Sequence, residues 1–150
     1  MTGRTVAGAL SVFFLLLSLS GCDDAPPQFK FGILRQTSDG EYAMDVETTR
    51  IPKRVKDTGF RFGVAIDNPS GKMIEWYELV HLPARTQQLS GGFSEVSPTV
   101  LKTDIQHSDQ EHIVDEFWFD EGDPVGPHRM EVYVNGVLRF EVGFEVIESR

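Results

Sequence analysis

Strict alternation governs the last segment of the chain, where Leu138, Phe140, Val142, Phe144 and Val146 stand at every second position between Arg139, Glu141, Gly143 and Glu145. A period of two places successive side chains on opposite faces of an extended strand, so one face is apolar and needs covering. Upstream, Met130, Val132 and Val134 alternate with Glu131, Tyr133 and Asn135, and the two runs meet at Asn135-Gly136. That pair tolerates the positive φ angles of a type I′ turn, so the two runs predict a β-hairpin.

The same alternation recurs in Phe60, Phe62, Val64 and Ile66, with Arg61, Gly63, Ala65 and Asp67 on the other face. Asn68-Pro69-Ser70-Gly71 reads as a turn. Beyond it Ile74, Trp76, Glu78, Val80 and Leu82 stand opposite Met73, Glu75, Tyr77, Leu79 and His81. The second face of this strand is also partly apolar, which predicts a central position. Ile113 to Phe119 gives a further strand with Phe117 and Phe119 on one face and Trp118 on the other, and weaker strands are expected at Lys30 to Arg35, Tyr42 to Thr48 and Thr99 to Ile105. No segment carries a helical stripe. About seven or eight short strands between turns rich in Gly, Pro, Asn and Asp predict an all-β fold, an antiparallel immunoglobulin-like β-sandwich, with a small barrel as the alternative.

The N-terminus has a different grammar. Arg4 precedes an apolar run from Val6 to Leu19 that is short for a membrane span, and the run breaks at Ser20-Gly21. This is the pattern of a signal peptide. The tetrad Leu19-Ser20-Gly21-Cys22 resembles the lipobox of bacterial lipoproteins. The resemblance implies cleavage after Gly21, a diacylglycerol on the Cys22 sulfur and acylation of the new amino group. More than one acyl chain makes a stable anchor, at roughly 0.8 kcal/mol per buried CH₂. Asp23 and Asp24 follow; an acid directly after the lipidated cysteine resembles the inner-membrane retention signal of enteric bacteria, and inner versus outer membrane stays open. The expected organisation is a signal peptide at 1–21, lipidated Cys22 with a tether to 28, and one β-sandwich domain at 29–150 facing the periplasm.

Removing residues 1–21 takes away Arg4 and no acid, so 13 basic face 23 acidic side chains in the remainder. Such a surface disfavours nucleic acid and anionic lipid headgroups, both polyanions. With Cys22 lipidated no cysteine is left for a disulfide, so the domain rests on its apolar core.

Several segments in order resemble one family: Thr48-Thr49-Arg50-Ile51-Pro52, Gly59-Phe60-Arg61-Phe62-Gly63, Val80-His81-Leu82-Pro83, Phe117-Trp118-Phe119-Asp120 and the closing hairpin to Phe144-Glu145-Val146. Together they look like the bacterial family catalogued as domain of unknown function 3859, over roughly residues 31–147. Where that family leads one to expect Gly-x-Trp before the penultimate strand, this chain has Gly126-Pro127-His128-Arg129-Met130. The resemblance implies a β-sandwich and supplies no activity.

No catalytic motif stands out. His81, His107, His112 and His128 include no local ligand pair, and a zinc site needs three or four converging ligands. Asp120-Glu121-Gly122-Asp123 lacks the spacing of an EF-hand loop. Asp115 and Glu116 are neighbours and point to opposite faces, which weakens a reading with Glu111 as paired catalytic acids. Ser90-Gly91-Gly92-Phe93-Ser94 has no helix behind it to cradle a phosphate. No catalytic residue, metal or cofactor is therefore expected. The leading expectation is a non-enzymatic binding module for an envelope protein or ligand, an acidic partner for a basic one. Its candidate residues are Arg85, Leu89 and Phe93 in the poorly patterned stretch from Pro83 to Pro98, and Trp76 and Trp118, which with Tyr77 and Tyr133 would form an aromatic platform. A small-ligand carrier and a metal-dependent enzyme are the alternatives.

Overall fold

A computed structural model describes residues 25–149 of the protein. The expected signal peptide, the cleavage site at Gly21, Cys22, Asp23 and Asp24 lie outside the described residues. Among the described residues every regular element is a strand: β1 (Gln28–Gln36), β2 (Tyr42–Glu47), β3 (Arg50–Lys53), β4 (Arg61–Asp67), β5 (Ile74–His81), β6 (Phe93–Ser97), β7 (Val100–Thr103), β8 (Gln106–Ser108), β9 (His112–Phe117), β10 (Gly126–Val134) and β11 (Val137–Glu148). A four-stranded sheet has the order β2-β1-β4-β9, and a seven-stranded sheet the order β3-β11-β10-β5-β7-β6, with β8 also on β5. Pairing is antiparallel except where β3 runs parallel to β11. No helix among these residues is long and apolar enough to cross a membrane.

The apolar faces read from the sequence meet between the sheets. Phe62, Val64 and Ile66 of β4 join Ile74, Trp76 and Val80 of β5, Met130, Val132 and Val134 of β10, and Phe144 and Val146 of β11 in one buried cluster. Phe62 is its hub, stacked on Phe119 with centroids 4.6 Å apart and tilted against Phe117 and Phe144 at 5.9 and 6.0 Å. Each such ring contributes about 1.5–3 kcal/mol on burial. The hairpin is as the sequence implies: Asn135 and Gly136 take φ of 50° and 76°. Its outer end departs from the expected pattern, because Leu138 is 45% exposed. The β10–β11 ladder shifts register between Val132 and Tyr133, and Phe140 stacks on Phe29, next to the start of β1. The shift sets Leu138 opposite Tyr133, on the outward face.

β5 does lie centrally, between β10 on one side and β7 and β8 on the other. The strands beyond the expected seven or eight are short pieces such as β3, β6 and β8, too brief for a period to be read. The turn after β4 is pinned by Asn68, which is fully buried. Its Nδ2 donates to the carbonyls of Lys72 (2.9 Å) and Gln110 (3.2 Å), and its Oδ1 accepts from the Ser70 hydroxyl. Asn68→Ala removes both of these bonds from a buried position and is expected to cost about 2 kcal/mol, read as an equal loss in denaturant melts. A melt coincident with wild type would show that the cradle contributes nothing.

Candidate functional site

A sheet that does not close leaves edges whose free N–H and C=O groups invite another strand, and bulges and prolines blunt such edges. The main edges here are β2, β9, β3 and β6. The β2 ladder shifts register between Ile33 and Leu34, and that of β6 between Glu95 and Ser97. β3 has four residues and contains Pro52. β9 is different: it runs in unbroken register against β4 from Phe62↔Phe117 to Asp67↔His112. Among the described residues no strand pairs with its other side. That side borders a groove of about 1050 Å³ lined by β8 residues Gln106 to Ser108, by Ile113 to Glu116, by Tyr42 to Met44 of β2 and by Trp76.

Behind the groove the sandwich contains an acid pair. Glu78 belongs to the inward face of β5 and is 0% exposed. On β9 the inward face carries Ile113, Asp115 and Phe117, and Asp115 reaches Glu78 across the sandwich. A bulge makes room. Leu79 pairs with Lys102 but Trp76 pairs with Gln106, so one extra residue lies at Asp104-Ile105. The Glu78 N–H donates to Thr103 Oγ1 at 2.8 Å, and that hydroxyl donates to Glu78 Oε2 at 2.7 Å. Trp76 Nε1 donates to Asp115 Oδ2 at 3.0 Å. Glu78 Oε1 receives no donor. Burial first, and the nearby Asp115 charge second, push the Glu78 carboxyl well above its ordinary value, against the pull of the Thr103 hydrogen bond. Burial and the neighbouring Asp115 charge thus both favour the protonated form of Glu78.

The candidate residues divide. Phe93 and Trp118 line a second cavity of about 130 Å³ together with Thr103, Gln106 and Asp115. Trp118 is 48% exposed, and the Arg61 guanidinium lies 5.1 Å from its ring and 5.8 Å from that of Tyr42, within cation–π range. Trp76 is a core residue whose indole serves Asp115. The expected four-ring platform does not form, because adjacent strand residues face opposite ways. Trp76 points in while Tyr77 points out, stacking on Tyr133 at 5.0 Å under Lys102. Arg85 is engaged with both carboxylate oxygens of Glu95 at 3.1 Å, and Leu89 is exposed; neither lines these two cavities. The stretch from Pro83 to Pro98 contains β6, and its remainder is tied down. Thr86 donates to Asp123 at 2.8 Å, Ser90 donates to Asp120, and the Gln87 N–H reaches the Gly122 carbonyl.

Among the described residues no group of three or more His, Cys, Asp or Glu is placed to hold a metal ion. His107 pairs with Glu75 at 3.1 Å, His112 with Asp67 at 2.9 Å and His81 with Glu131 at 3.2 Å, each separately. In the Asp120 to Asp123 turn the carbonyls of Glu121 and Asp123 accept from Lys53 Nζ, at 2.8 and 2.6 Å. Asp115 and Glu116 do face opposite sides, and the acid that Asp115 meets comes from the other sheet. The sequence signal for it was the lone Glu78 on an otherwise apolar face; nothing in the sequence linked it to Asp115.

His128 is buried against Phe144 with centroids 5.1 Å apart, its Nδ1 2.9 Å from the Gly126 carbonyl. Burial lowers its pKa from 6.5, outweighing the carbonyl contact. The unfolded chain therefore takes up a proton that the folded one resists, and this contribution to stability, present above pH 6.5, is lost as pH falls below it. His128→Phe should flatten the acid limb of a melt-versus-pH curve; an unchanged limb would refute the assignment.

Two sheets packed face to face in this order define an immunoglobulin-like β-sandwich with one flank open. Residues 29–147 match the family described as the PM0630 beta sandwich domain, and the chain belongs to that family. Among solved structures it is similar to an immunoglobulin-like protein (PA1606) from Pseudomonas aeruginosa, with a TM-score of 0.55 and 16% identity over 83% of this chain and 99% of that one. At that identity the likeness carries the fold alone. No curated protein matches the chain.

Proposed function

We propose that this chain is a lipid-anchored protein of the bacterial envelope, tethered through Cys22, whose β-sandwich is a non-enzymatic binding module. The observation that carries the binding reading is the β9 edge, unbroken in register and unpaired among the described residues, beside an acid-lined groove; its charged residues Asp115 and Glu116 restrict which strand can add there. Trp118 and Phe93 supply aromatic surface next to it. The lipobox-like tetrad ending at Cys22 supports the anchor, and the Asp23-Asp24 pair leans toward the inner membrane.

Two measurements test the proposal. Cys22→Ser should shift the protein from the membrane to the soluble fraction, and a wild-type protein already soluble would refute the anchor. A photoreactive residue at position 118 or 89, irradiated in intact cells, should give a discrete crosslinked partner by mass spectrometry. Recovery of abundant lipoproteins alone from both positions would refute the module. The alternatives have less support. A ligand carrier needs a mostly apolar pocket of roughly 300 Å³ or more; the apolar space between the sheets beside Trp118 is about 70 Å³, and the larger groove beside Trp76 is open and lined by charged residues. A metal-dependent enzyme needs converging ligands, and the four histidines are each engaged separately.

A further inference from the structure

We infer that the free edge of β9 accepts an extended basic segment of a partner protein as an added strand, with a lysine or arginine of that segment seated over Asp115. This rests on the binding-module reading and names the partner's chemistry. The edge offers six residues in regular extended geometry, enough backbone donors and acceptors for strand addition. Its charge selects the occupant. Glu41, Asp115 and Glu116 line the groove with Asp67, which His112 holds at 2.9 Å; its one lysine, Lys30, is paired with Glu47 at 3.4 Å, and its other histidine, His107, with Glu75 at 3.1 Å. A second copy of this chain paired in the register centred on Asp115 and Glu116 would set those acids against each other, and like charges directly opposite destabilise a strand pair.

The register specifies a pattern. Ile113, Asp115 and Phe117 face inward and Val114 and Glu116 outward, so an antiparallel partner strand reads apolar, basic, basic, any residue, apolar against Phe117 through Ile113. The inward basic side chain meets Asp115 beside Trp76. The outward one meets Glu116, whose nearest cation, Arg61, stands 3.9 Å away and is shared with the Trp118 and Tyr42 rings.

The test uses the full chain in nanodiscs and the peptide acetyl-Ser-Leu-Arg-Lys-Thr-Val-Ser-amide, with a control carrying Glu at both basic positions. The basic peptide should slow amide exchange in β9, the control should not, and Glu116→Lys should weaken binding about tenfold or more, as should raised salt. The inference fails if the basic peptide protects no β9 amide at millimolar concentration, if both peptides bind alike, or if protection falls elsewhere. A crosslinked partner from position 118 or 89 without β9 protection would leave the binding module standing and remove this assignment.

Discussion

Folding stability of the wild-type protein falls as pH rises above about 6.5, where His128 no longer contributes a slope, and Glu78→Gln removes that fall. The folded-state carboxyl of Glu78 sits well above its ordinary value of 4.5. Below that value both folded and unfolded chains hold the proton, and the contribution of the pair is complete. Between the two pKa values the folded chain holds a proton that the unfolded chain has released, so stability is lost with rising pH, at up to about 1.4 kcal/mol per pH unit. Above the folded value the proton leaves, and two carboxylates from opposite sheets confront each other in the core. Glutamine keeps the shape without a titrating proton, and its carbonyl accepts from Thr103 as the carboxylate does. Guanidinium melts across this range should slope downward for wild type and run level for Glu78→Gln. Parallel curves would mean that Glu78 is ionised when folded. His128 works in the opposite sense below pH 6.5, so the double variant with His128→Phe should lose both limbs.

How much of this was legible in the sequence follows from the distance over which each feature is determined. The closing hairpin is encoded locally, since alternation fixes the faces and Asn135-Gly136 fixes the turn; both appear in the structure. The turn at Asn68 was legible for the same reason, although its burial was not. β3 and β8 exist because neighbouring strands β11 and β5 supply pairing, and four or three residues carry no period of their own. The acid pair was half visible. Glu78 interrupts an apolar face in plain view, but its partner sits on the other sheet, and only the packing of two sheets brings β5 and β9 together. Alternation already separates Trp76 from Trp118 in the sequence: Trp76 shares the buried face of Ile74 and Val80, whereas Trp118 stands opposite Phe117 and Phe119, both buried, and is itself exposed.

Gly63→Ala is expected to be among the most damaging single substitutions in the domain, at about 3 kcal/mol. Gly63 sits on β4 directly opposite Gly32 of β1, so the middle of the four-stranded sheet carries a strip with no side chains. A Cβ at Gly63 would stand 1.9 Å from the Asp115 backbone oxygen, and one at Gly32 would stand 2.0 Å from that of Val46. Both partners are main chain, so neither clash can be relieved by a rotamer change. The flanking strands have closed over the bare strip, which is how residues of β2 and β9 come to line one groove. Alanine at 63 must push β9 away from β4. Its consequences should therefore be local as well as global: lost exchange protection in β9, separation of Asp115 from Glu78, and a shallower fall of stability with pH. Gly143→Ala is the matched control, since its Cβ would meet only the His128 backbone oxygen at 3.9 Å, and it should change stability by about 0.5 kcal/mol or less. If Gly63→Ala melts with Gly143→Ala and keeps its β9 amides protected, the close approach of β9 to β4 is wrong, and with it the geometry of the edge to which a partner strand would add.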